Sequence, residues 1–137
     1  MARRIPQRET IIDSTGTSVH AGIRVSDYRN CILQIQGSAS ANMKIFVKGA
    51  VGDTRPDFTV NSGERSANNA WWDYVEVVDL EDGAAIDGDT GVNLSGNVVR
   101  LIEVNINSLD WLSVHSTAVV GGATSTVTCV GVFTTNE

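Results

Sequence analysis

The feature that most constrains this chain is a period of two. In "SVHAGIRV", Val19, Ala21, Ile23 and Val25 alternate with polar or small residues. "CILQIQ" does the same with Cys31, Leu33 and Ile35, and "MKIFVKG" with Met43, Ile45 and Val47, leaving Lys44 and Lys48 on the opposite face. "NVVRLIEVNI" aligns Val98, Ile102, Val104 and Ile106, with Arg100 intruding, and "DWLSVHSTAV" aligns Leu112 and Val114. "STVTCVGVF" puts Val127, Cys129 and Phe133 on one face. Successive side chains of a strand point to opposite faces, so each segment reads as a half-buried β-strand. "WDYVEVVDL" also reads as a strand, though its inward face is ambiguous. Turn clusters such as "SDYRN", "QGSASAN" and "VGGATS" separate the strands, and no stretch has the 3.6-residue period of an amphipathic helix. The expected fold is all-β: a single antiparallel β-sandwich, jelly-roll-like or Ig-like, with an extended N-terminal arm.

The 137 residues suit one domain, and 42% hydrophobic content suits a packed core. Residues 1–12 are polar and carry Pro6, so they are expected to form the arm, with the sandwich domain over 13–137. Residues 49 to 70 are the least regular and read as an extended loop with at most a short strand at "DFTVN". No apolar run approaches the roughly 20 residues of a membrane span, and the N-terminus lacks the apolar core of a secretory signal. Synthesis in the cytoplasm is therefore expected. Cys31 and Cys129 both lie in alternating apolar segments, which favours two buried thiols over a disulfide.

The net charge of −6 argues against direct nucleic-acid binding. The charge is uneven. Arg3, Arg4 and Arg8 load the N-terminus, whereas Asp73, Glu76, Asp79, Glu81, Asp82, Asp87 and Asp89 follow one another with no base between them. The arginines could meet the acidic region of a neighbouring subunit, or both could simply be solvated.

Asp89-Thr90-Gly91 matches the tripeptide of aspartic proteases, with a partial second match at Asp13-Ser14-Thr15-Gly16. Those enzymes bury a shared-proton pair behind apolar residues. Here Asp87 and Gly88 precede the aspartate, and Val92 stands where a small residue is typical. An EF-hand counted from Asp79 would need Gly at the sixth place and Glu at the twelfth, where Ala84 and Thr90 stand. A different calcium site from Asp79, Asp82, Asp87 and Asp89 stays open, and no metal or cofactor is expected. No other nucleophile, zinc or phosphate-binding motif occurs, so no enzymatic activity is expected. Trp71 and Trp72 are adjacent and so face opposite ways on a strand: one core, the other exposed. With Tyr74 they could form a sugar-stacking platform or, more in keeping with tryptophan's preferences, a subunit contact.

Residues 71 to 133 carry a resemblance. The WDYV-like strand, the central "RLIEVNINSLDWLSV" and the final "GG…STVTCVGVF" strand resemble small β-sandwich proteins of tailed-bacteriophage virions, of the capsid decoration or cement type. In that group the central part is a strand, a short Asn/Gly turn and a Trp-containing strand. Arg100 to Asn107 and Leu109 to Leu112 match it, with Ile102 where an aromatic is common. The resemblance implies a virion protein that binds and stabilises the major capsid shell, with the major capsid protein as partner and self-association as a homotrimer. Arg3, Arg4 and Arg8 would lie in the arm, and Trp71 or Trp72 with Tyr74 at a subunit contact. A tail, neck or fibre component, or a carbohydrate-binding module, are the alternatives.

Overall fold

A computed structural model describes residues 4–15, 17–38, 42–60, 70–96, 98–118 and 126–136. Among the described residues every element is a strand: β1 (Arg4–Thr15), β2 (Ser18–Val19), β3 (Ile23–Arg24), β4 (Asn30–Gly37), β5 (Asn42–Ala50), β6 (Asp73–Tyr74), β7 (Val77–Asp79), β8 (Ala85–Ile86), β9 (Val92–Ser95), β10 (Val99–Asn105), β11 (Trp111–Ala118) and β12 (Thr126–Asn136). They form two antiparallel sheets packed as a sandwich. The first has the order β1-β12-β4-β10-β7-β8. The second has the order β2-β11-β5-β6, with β3 also pairing with β11 and β9 with β5.

The inward faces follow from the alternation. β4 buries Cys31, Leu33 and Ile35, β10 buries Ile102 and Val104, and β12 buries Val127, Cys129 and Phe133. Met43, Ile45 and Val47 of β5 and Leu112 and Val114 of β11 meet them from the second sheet. Both cysteines are free thiols in this core. Burial in apolar surroundings pushes each thiol up to about 12.

Three departures from the alternation have local causes. The expected strand around Trp72 is two strands in different sheets. β6 pairs with β5 and β7 with β10, so the chain changes sheet at Val75 and Glu76. That change is why no single inward face could be assigned to it. The expected strand from Val19 to Val25 is interrupted at Gly22, whose φ of 120° is left-handed and whose Cβ would lie 2.8 Å from Phe58. Finally, the start of "NLSGN", whose composition reads as a turn, belongs to β9, which buries Val92 and Leu94 against β5.

The N-terminal arm also needs correction. Residues 4–12 are not outside the sandwich: β1 pairs with β12 from Arg4 opposite Asn136 to Thr15 opposite Thr126. A register shift between Thr10 and Ile12 lets the adjacent Ile11 and Ile12 both turn inward, where they are 7% and 2% exposed. A bulge of this kind is how two consecutive residues share one face. Gln7 to Thr10 are exposed, which is why the segment reads as polar; its backbone is nonetheless held by the sheet ladder.

Candidate interaction surfaces

The outer face of the second sheet carries the most elaborate chemistry. Phe46, Lys48 and Ala50 of β5 stand beside His115, Ser113 and Trp111 of β11, their direct cross-strand partners. The segment after β5 folds back over this face and brings Phe58 and Trp72 down onto Ala50, making a second apolar cluster. The fold-back is pinned at both ends. Trp111 Nε1 donates to the Gly52 carbonyl (3.0 Å), and Gly52 N donates to Asp110 (2.6 Å). Lys48 Nζ donates to the Phe58 carbonyl (2.9 Å).

Lys48 was expected to face solvent, and its side of the strand does face away from the main core. The cluster covers it: it is 3% exposed, with its ammonium 4.1 Å from the centre of the Trp72 ring. A cation over an aromatic face is attracted by the ring quadrupole, by about 2 kcal/mol when desolvated. Burial still disfavours the charge and lowers the Lys48 pKa. The ring of Trp72 packs edge-on against Tyr74 (5.2 Å between centroids) and near Phe58 (6.4 Å), and its Nε1 has no hydrogen-bond partner among the described residues. His115, next to Phe46 at 6.1 Å, is held below its ordinary pKa by burial and by the charge of Lys48.

Trp71, which with Trp72 precedes β6, is the exposed member of the pair. It is 47% exposed, against 4% for Trp72. Trp71 and Trp72 line a shallow apolar depression of about 370 Å³ with Gly49, Ala50, Val51 and Leu109. Of the predicted contact residues, Trp71 is thus the exposed one, Tyr74 is half-buried and Trp72 is core.

The acidic block is divided by the fold. Asp79 is buried and binds Arg100 Nη1 at 2.8 Å, while its other oxygen accepts the Glu81 amide at 3.0 Å. It therefore anchors the β7–β8 turn and explains the intruding Arg100. Asp73, Glu76, Asp87 and Asp89 surround an open groove with Tyr74 and Gly88, about 520 Å³ in volume. Asp87 raises the pKa of Asp89 by hydrogen bonding and by its own charge. The Asp-Thr-Gly tripeptide forms a turn in which Thr90 N and Gly91 N donate to the Asp87 carbonyl. Asp13 lies on β1, paired with Thr128. Among the described residues, no group of three His, Cys, Asp or Glu side chains is placed to hold a metal ion.

The basic residues fall elsewhere. Arg3 lies outside the described residues, Arg4 opens β1, and Arg8 is exposed opposite Val132. β1 and β8 are opposite edges of the first sheet, so Arg8 and the acidic turns that follow β8 are held apart within one molecule.

No protein-family model matches the chain, and no curated protein matches it by sequence. A solved structure does. The fold is shared with the SPBc2 prophage-derived protein YomS. The TM-score is 0.69, covering 97% of this chain and 96% of that one at 13% sequence identity. Like YomS, this chain is a β-rich protein whose fold is spanned from end to end by one similar structure.

Two residues of the outer cluster escaped the sequence reading. Lys48 carries the alternation of a solvent-facing lysine, and nothing local marks it as covered. Phe58 sits in "RPDFTVN", an irregular stretch whose lone aromatic was the available sign of a fold-back.

Proposed function

We propose that this chain is a non-enzymatic structural protein of a bacteriophage particle, and within it a capsid decoration protein that binds the major capsid protein and reinforces the shell. The observation that carries this reading is the fold it shares with a prophage-derived protein over the length of both chains. The exposed Trp71 beside its apolar depression is a natural anchor for such a partner, because tryptophans seated at apolar pockets dominate interface energetics. Repetition of a modest contact over a lattice gives high avidity. In this reading Arg8, exposed on the edge strand β1, brings positive charge to that edge of the first sheet, where an acidic capsid surface would be met.

Copy number in purified particles tests the assignment. Gel densitometry should give this chain near the abundance of the major capsid protein, and a few copies per particle would assign it to the tail, neck or fibre. Exposure of Trp71 also favours a carbohydrate-binding reading. A glycan-array signal from the isolated protein that Trp71→Ala abolishes would select that alternative.

A further inference from the structure

The outer face of the first sheet is open and poor in charge. Ile32, Val99, Leu101 and Leu80 are 37%, 55%, 45% and 41% exposed. Their cross-strand partners on the same face include Val132, Gln34 and Gln36, and Val130 stands opposite Gln34. In a chain with net charge −6, the described side chains of this face on β1, β12, β4 and β10 include three charged groups: Arg8, Asp13 and Glu103.

Two of these lie in one row. Arg8 is opposite Val132, Val132 opposite Ile32, and Ile32 opposite Glu103. Direct partners across antiparallel strands share a face, so the row reads Arg8, Val132, Ile32, Glu103. Three strand spacings separate its ends, about 14 Å, too far for a pair within one copy. Neither Arg8 nor Glu103 has an ion pair among the described residues.

We propose that this face docks a second copy of the chain, around a two-fold axis running along the strands between β12 and β4. That axis turns the row onto its own reverse. Arg8 of each copy then meets Glu103 of the other, and Val132 meets Ile32 at the centre. In the next row, Thr10, Val130, Gln34 and Leu101, Thr10 meets Leu101 and Val130 meets Gln34. Stacked sheets lie about 10 Å apart, within the combined reach of an arginine and a glutamate. Moving the axis over by one strand would place Glu103 on Ile32, and an axis across the strands would place Arg8 on Arg8. Of these arrangements the first alone pairs Arg8 with Glu103; it also brings Asp13, on the edge strand, over Val99. The footprint is about 19 Å across four strands and about 27 Å along β4, on the order of 500 Å² per copy before side-chain relief. That is short of the roughly 800 Å² per partner of a standard interface and fits a concentration-dependent dimer. This docking is independent of the phage assignment and differs from the homotrimer implied by the resemblance.

Sedimentation equilibrium of the full chain from low to high micromolar concentration tests it. The mass should rise from 14.6 kDa toward twice that value. Arg8→Glu and Glu103→Arg should each weaken the dimer about 30-fold, which is about 2 kcal/mol. The double variant, with both charges exchanged, should return to within about threefold of the parent, since each pair is rebuilt with reversed signs. Asp82→Lys, in the β7–β8 turn, should change nothing. A monomer throughout the range, a trimer, or a double variant as weak as the singles would overturn the inference.

Discussion

Trp72→Ala should be among the most damaging single substitutions in the second sheet. The indole is 4% exposed and packs on Phe58 and Tyr74. Removing a buried tryptophan costs about 3–5 kcal/mol in lost burial and cavity formation. It also strips the aromatic face from Lys48, whose cation–π attraction is worth about 2 kcal/mol when desolvated. Two effects offset this. Among the described residues Trp72 Nε1 is buried without a partner, so its removal relieves a desolvation cost of about 1–3 kcal/mol. Lys48 also keeps its bond to the Phe58 carbonyl. The net loss is about 4 kcal/mol, and at roughly 3–4 °C per kcal/mol for a domain of this size the melting temperature should fall by about 12–16 °C. Calorimetry on Trp72→Ala, Lys48→Met and the double variant checks it, with a coupling of about 1–2 kcal/mol expected between the two sites. The comparison with Trp71→Ala is decisive. Trp71 is 47% exposed, so its loss should cost less than about 1 kcal/mol and, under the proposed function, weaken binding to capsids. Equal destabilisation by the two tryptophan variants would refute the assignment of Trp72 to the cluster and Trp71 to the surface.

Gly91→Ala should destabilise the fold by about 1–3 kcal/mol, measured by thermal melting, because Gly91 has a φ of 78° and a Cβ there would lie 2.8 Å from the Phe46 ring. Burial lowers the pKa of His115 below 6.5, so the unfolded chain takes up its proton first as pH falls. Stability from this group is therefore present above about pH 6.5 and is lost on acidification through the folded pKa; His115→Gln should flatten that part of a melting-temperature profile. Lys48→Met should move the His115 titration upward by NMR, since the Lys48 charge contributes to holding it down. Cys31 and Cys129, pushed up to about 12, should resist a thiol reagent at pH 8 in the native protein and both react after denaturation.

Much of the sandwich was legible because its central strands obey one local rule. The alternation in β4, β5, β10, β11 and β12 records which face meets the other sheet, and a residue's phase along a strand does not depend on distant chain. Cys31, Leu33, Ile102, Val114 and Phe133 are buried as that phase requires. That one of Trp71 and Trp72 is buried and the other exposed followed from the same expectation, although both stand just before β6. Assigning which of the two was core did not, because that depended on a fold-back whose landing place is set by Phe58, Gly52 and Asp110. The covering of Lys48, the change of sheet at Val75, and the joining of the polar first residues to β12 also rest on contacts between segments far apart in sequence. An exposed strand edge and an open sheet face satisfy or leave unsatisfied their partners only in three dimensions. The sequence by itself therefore determined the class of fold and its inner faces. Tertiary structure decided what covers the outer faces, and with it which aromatic and charged residues are available to a partner.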